Sequence, residues 1–209
     1  MTQPTPTHVL YLHGFRSSPQ SNKARILEVA IQGRSRPDQP LTWACPQLPP
    51  SPDDALAVML ATVNDWPRDR MAVIGSSLGG FYATVLAERL GCHAVAINPA
   101  VAPARDLARY IGEQTNFHNP ADRFFFRAEF IGQFEAMDPY PLPHPERYHA
   151  LIAEGDEVLD WREMVAHYEG ASIKLLDGSD HAISEFDQYV DEVLSWLGLP
   201  PHKMGQSPS

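Results

Sequence analysis

The chain has 209 residues, 44% of them apolar and 20% charged, a balance that suits one globular fold with a sizeable core. Its formal charge of −10, without any Lys/Arg-rich run, removes the electrostatic footprint of a nucleic-acid binder or an anionic-membrane binder. Residues 1–7 carry no basic or apolar leader pattern and no apolar run approaches roughly 18 residues, so neither a signal peptide nor a membrane span is expected.

The first apolar run is Val9-Leu10-Tyr11-Leu12, followed by His13-Gly14-Phe15. Further runs follow at 41–44, 71–74, 94–97, 150–153 and 173–176. They are continuously apolar, not alternating, which fits strands covered on both faces of a parallel sheet. Between the second and third runs, Ser51 is a good N-cap, with Pro52 at the first helical position and Asp53 and Asp54 near the positive end of the helix dipole. Leu78, Phe81, Tyr82, Val85 and Leu86 make a helical stripe after the third run, and Gly91 is placed to end it. The fourth and fifth runs are separated by an unusually long connection rich in aromatic residues, from Tyr110 through Phe134 to Tyr140. It should form small helices over something apolar, as a packed flap or a substrate-covering cap. Asp160 reads as the N-cap of a helix carrying Trp161 and Met164, and Ile183, Phe186, Val190, Val193, Leu194 and Leu197 repeat a helical pattern after the last run. Strand–helix alternation of this kind gives an α/β fold with right-handed crossovers. One domain over 1–200 is expected, with the insertion at about 101–147 and a short polar tail at 201–209. The only two cysteines, Cys45 and Cys92, sit beside strand-like runs and read as reduced thiols in a cytoplasmic protein.

The sharpest chemical signal is Gly75-Ser76-Ser77-Leu78-Gly79, directly after a strand and directly before an amphipathic helix. That is the context of a Gly-x-Ser-x-Gly nucleophile elbow, where the serine takes a strained turn and flanking side chains would clash. Ser76 is a competing hydroxyl at the variable position. A serine hydroxyl is a weak nucleophile until a base takes its proton, and the elbow expects an acid and then a histidine after later strands. His181 follows the last strand and is the candidate base. Asp156 is favoured as the acid because it sits where the chain leaves the sheet; Glu154, Glu157 and Asp160 lie close by. The backbone N–H groups of Phe15 and Leu78 are the candidate oxyanion donors. The His13 side chain reads as a brace for its loop ahead of a second base.

These residues are similar to the small bacterial α/β-hydrolase esterases of the YqiA type. The resemblance runs from about Val9 to Leu199 through Leu12-His13-Gly14-Phe15, Ser17-Ser18-Pro19, Pro46-Gln47-Leu48-Pro49-Pro50, Gly75 to Gly80, Asn98-Pro99-Ala100-Val101, Gly155 to Asp160 and His181-Ala182. It implies an α/β-hydrolase fold: a mainly parallel six-stranded sheet, helices on both faces and a small helical cap insertion. It also implies esterase activity on short acyl esters, or on acyl-CoA thioesters, with no cofactor. Ser77, Asp156 and His181 take the same roles in it. The match is weaker over the insertion, from Ala102 to Pro145. No His-Glu-x-x-His, Cys-x-x-Cys or phosphate-loop motif is present, and no metal site is expected. A binding module that keeps a hydrolase scaffold without catalysis is the alternative of a different class. Oligomeric state has no signature in the sequence.

Overall fold

The computed structural model describes residues 4–117, 119 and 121–201; most of the tail expected at 201–209 therefore lies outside the described residues. The strand-like runs become β1 (His8–Leu12), β2 (Thr42–Ala44), β3 (Met71–Ser76) and β4 (His93–Ile97). After a further pair, β5 (Gly112–Thr115) and β6 (Arg123–Phe126), come β7 (Tyr148–Ala153) and β8 (Ser172–Leu176). Six of them form one all-parallel sheet in the order β2-β1-β3-β4-β7-β8. The expectation of an α/β fold built on a six-stranded parallel sheet is borne out.

Continuous apolarity in the strands has a direct cause. Alternate side chains of each strand enter different cores. Leu10, Leu12, Val73, Ala94, Ala96, Ala150 and Ile152 face one core, while Val9, Tyr11, Ala72, Ile74, Val95, Ile97, Leu151 and Ala153 face the other. The first face is covered by α2 (Pro52–Thr62), α3 (Leu78–Leu90) and α6 (Trp161–His167); the second by α1 (Asn22–Arg34) and α7 (Val190–Trp196). Ser51 caps α2 by accepting from the Asp54 N–H at 3.3 Å, Gly91 closes α3 with φ 72°, and Asp160 caps α6 by accepting from Arg162 N–H at 2.9 Å.

Two regions differ from expectation. The helical pattern after the last strand does not start at Ile183, because Ile183 has φ 42° and the Asp180 carboxylate accepts from the Ser184 amide and hydroxyl, closing a turn instead. The helix α7 begins only at Val190, although Ile183 and Phe186 are still buried. The insertion between β4 and β7 contains α4 (Pro103–Leu107) and α5 (Glu129–Met137), and also an antiparallel ribbon of β5 and β6 that the sequence reading did not include. The ribbon puts Phe124 and Phe126 on the ring of Phe15, with centroids 5.9 and 5.3 Å apart, both edge to face. Burial of three rings accounts for a strand in a segment without alternation. Phe134 of α5 packs edge-on against Phe81 of α3 at 5.8 Å.

Candidate active site

The strand order brings the site's parts to one edge of the sheet. Strand order reverses at β1, with β2 added on one side and β3 on the other, so the loops after β1 and β3 open a crevice at the carboxyl ends of the strands. Leu12 and Gly75 are paired in register, which sets Gly14 and Ser77 side by side. Their approach is close: a Cβ built on Gly14 would lie 3.2 Å from Ser77 Cβ.

Ser77 is held at φ 56°, ψ −122°, a conformation that costs on the order of 1–3 kcal/mol and persists only where the surroundings enforce it. The enforcement is visible. Ser77 N–H donates to Ile97 O at 2.9 Å, and Ser77 O accepts from Gly80 N–H at 2.8 Å and Ala100 N–H at 3.0 Å. A Cβ on Gly75 would lie 1.9 Å from Gly79 O, and one on Gly79 would lie 1.9 Å from Leu12 O, so strand, turn and helix meet at a distance only glycine permits. The outcome is a hydroxyl raised at the start of α3, partly open to solvent. Ser76, by contrast, is buried at the end of β3.

His181 Nε2 lies 3.1 Å from Ser77 Oγ, and His181 Nδ1–H donates to Asp156 Oδ2 at 2.7 Å. The Asp156 side chain is 0% exposed and His181 20% exposed. The other Asp156 oxygen accepts from the N–H groups of Val158 and Leu159, both at 2.8 Å. Two neighbouring carboxylates are occupied differently: Glu157 accepts from the His181 backbone N–H at 3.0 Å, and Asp160 caps α6. Both ring nitrogens of His13 are engaged, Nδ1 with Gly14 O at 3.0 Å in its own loop and Nε2 accepting from Leu48 N–H at 3.1 Å in the loop after β2.

Reaching this arrangement is not trivial. His181 departs from β8, three strands from β3, and about 14 Å separates strands that far apart in a sheet. The loop must therefore fold back over β7 and β4. A residue without an assigned role in the sequence reading holds it there: Asn98, fully buried at the end of β4 with φ 39°. Its amide nitrogen donates to Asp180 O at 3.1 Å and His181 O at 3.0 Å, while its amide oxygen accepts from Ala153 N–H at 2.7 Å. The signal that could have found it is a polar residue ending an apolar run, where a buried amide must have partners.

Two hollows meet at Ser77. One, of about 180 Å³, is walled mainly by Ala100, Leu107, Tyr110, Phe117, Val158 and Leu159, with Arg16, Asp106 and Arg109 also on its lining. The other, of about 440 Å³, is lined by Tyr11, Ser17, Ser21, Asn22, Lys23 and Ser184 as well as Ser76, Ser77 and His181. Phe15 borders both, and Tyr110 of the insertion lies against its ring at 5.5 Å. Lys23 Nζ donates to the Ala182 carbonyl, and burial pushes its ammonium down to about 8 against the opposing pull of Asp180 and Asp156. The Asp180 carboxyl is held below its ordinary value chiefly by the Ser184 hydroxyl.

This fold, with its turn after the third strand of the sheet and its loops at the carboxyl edge, is that of the α/β-hydrolases. Solved structures superpose along nearly the whole chain. A metagenome-derived lipolytic enzyme of the LipS and LipT pair matches at 18% identity and TM-score 0.67, over 91% of this chain and 93% of its own. Est1E from Butyrivibrio proteoclasticus, with ferulic acid bound, matches at 14% identity and TM-score 0.67, over 94% and 90%. Alpha/beta hydrolase domain-containing protein 10 from mouse matches at 16% identity and TM-score 0.64, over 94% and 92%. At these identities the likeness is one of fold. The chain itself belongs to the uncharacterised protein family UPF0227, whose model matches residues 8–198, and the YqiA-type resemblance falls within that family. Among the described residues no helix is long and apolar enough to cross a membrane.

Proposed function

We propose that the protein is a serine esterase that hydrolyses short-chain carboxylic esters through an acyl-enzyme. In this reading Ser77 Oγ attacks the acyl carbon while His181 Nε2 takes its proton. Asp156 keeps the proton of His181 on Nδ1, so that Nε2 remains the acceptor, and stabilises the imidazolium that forms. The N–H groups of Phe15 and Leu78 receive the charge that develops on the carbonyl oxygen. Collapse of the tetrahedral intermediate breaks the bond to the leaving alcohol, whose oxygen receives the proton from His181. Water, activated by the same imidazole, then releases the acid and restores Ser77. The chain's own groups suffice for each step.

One observation carries the reading: the line from Ser77 Oγ to His181 Nε2 at 3.1 Å and from His181 Nδ1 to a fully buried Asp156 carboxylate at 2.7 Å. A loop histidine without a role would have no reason to be returned across two strands to a strained serine. The apolar hollow of about 180 Å³ suits the acyl group, and its size favours short chains.

The test is active-site labelling. A fluorophosphonate probe should label the folded wild type at Ser77, and Ser77→Ala should abolish labelling. With p-nitrophenyl butyrate, His181→Ala should lower kcat by about 10⁴-fold or more, because members of such a set act as a unit. A folded wild type that stays unlabelled favours the binding-module reading, and a loss under about tenfold in His181→Ala removes that residue from the mechanism.

A further inference from the structure

The larger hollow beside Ser77 contains a cation that the hydrolysis above does not use. Lys23 lies in the first turn of α1, half-buried, in the same wall as Ser76, Ser77, His181 and Ala182. Its bond to the Ala182 carbonyl occupies one of the three donors an ammonium offers. The two acidic groups whose charge it feels are committed elsewhere. Asp156 accepts from His181, Val158 and Leu159, and Asp180 accepts from the amide and hydroxyl of Ser184. The first turn of α1 carries no acidic side chain of its own. The ammonium also lies 6.0 Å from the centre of the Phe186 ring. An ammonium that has lost much of its water and lines an open hollow gains most from an anion placed there.

The two hollows also divide the substrate. If the apolar one takes the acyl group, the leaving half of the ester extends into the other. There His181 hands over its proton, and there Lys23 lines the hollow next to Ala182. We propose that Lys23 is a specificity-determining residue that binds an anionic group, carboxylate or phosphate, on the leaving-group half of the substrate. This rests on the esterase reading. The anion takes no part in bond making or breaking and departs with the alcohol, so its recognition changes substrate choice without altering the chemical steps.

The experiment compares three butyrate esters whose phenolic leaving groups are insulated from the substituent by a methylene. They are 4-(butyryloxy)phenylacetate, its neutral methyl ester, and 4-(butyryloxy)benzyl phosphate. In the full-length wild type, kcat/KM for at least one anionic ester should exceed that for the methyl ester by about tenfold, the discrimination a single charge-assisted contact supplies. Which anion is preferred identifies the source. Lys23→Met should bring the anionic-to-neutral ratio to within about twofold of one, Lys23→Arg should keep most of it, and about 0.5 M sodium chloride should lower it in the wild type. The ratio is taken within each variant, so a change in overall activity caused by loss of the Ala182 contact cancels. A wild-type ratio near one, or a ratio unchanged in Lys23→Met, overturns the inference while hydrolysis of the neutral ester leaves the esterase reading standing. A folded enzyme that hydrolyses none of the three and takes up no fluorophosphonate removes both.

Discussion

The turn that presents Ser77 and the insertion that borders it are held by different forces. At the turn, backbone meets backbone: hypothetical Cβ atoms on Gly75 and Gly79 would each come within 1.9 Å of a carbonyl oxygen, and no rotamer change relieves such an overlap. In the insertion, side chains meet side chains. Phe15 is surrounded by Tyr110, Phe124 and Phe126, Phe134 lies on Phe81, and Gln133 accepts from the Ser51 hydroxyl and the Asp53 N–H. The ion pairs from Arg105 to Asp106 and Glu163 are exposed and add little. Rings can repack, whereas carbonyls fixed in a helix and at a strand end cannot. On the proposed esterase reading, the difference assigns chemistry to the rigid part and acyl-chain selectivity to the part that tolerates substitution.

The largest expected effect breaks the rigid side. Gly79→Ala should destabilise the protein by at least about 4 kcal/mol, since the new methyl would overlap the Leu12 carbonyl and separate α3 from β1. Urea unfolding, or loss of soluble protein, measures it. A cost below about 1 kcal/mol would mean that the turn is more pliable than its contacts indicate.

A smaller effect is expected where the two parts of the site are tied together. Asn98→Ala removes a donor to Asp180 O and His181 O and leaves Ala153 N–H without its acceptor, which should cost about 2–3 kcal/mol. Activity should fall further than stability explains, because the loop carrying His181 loses its support. Comparing kcat for p-nitrophenyl butyrate with Tm separates the two. If kcat stays at the wild-type value while Tm drops, Asn98 braces the sheet and not the histidine loop.

The same contrast governs what could be read from the chain. Strands β3 and β7 were legible from the apolar runs 71–74 and 150–153, which are continuous because both faces of each strand are buried. The turn at Ser77 was legible because steric demand leaves glycine as the only solution at Gly75 and Gly79. Loop positions for Asp156 and His181 could be read from chain order, and Asp156 was favoured among the four carboxylates within 154–160 by its place where the chain leaves the sheet, while the contacts of each carboxylate were not legible. Lys23 and Asn98 were not legible as parts of a site, since what gives them roles is the return of a loop across two strands. Nor was the β5–β6 ribbon: Gly112-Glu113-Gln114-Thr115 has no strand signature, and its partner is selected by Phe15, a residue about 110 positions away in the chain's early loop. Tertiary contact decides such segments, and local pattern does not.

The pliable side provides the smallest and most selective test. Tyr110 is half-buried, lies 5.5 Å from the Phe15 ring and walls the apolar hollow, with its backbone carbonyl accepting from Gln114 at 2.7 Å. Tyr110→Ala leaves that backbone bond in place and deletes only the ring, so stability should fall by no more than about 2 kcal/mol. The hollow, however, lengthens. If it receives the acyl group, the ratio of kcat/KM for p-nitrophenyl octanoate to that for the butyrate should rise by about tenfold, the scale on which a few added methylenes are felt in an apolar pocket. The anionic-to-neutral discrimination ascribed to Lys23 should meanwhile be unaffected, because the ring borders only the apolar side. An octanoate-to-butyrate ratio that does not move would place the acyl chain in the other hollow. The anion preference would then have to be sought on the acyl half of the substrate, reversing the division of labour between the two sides of Ser77.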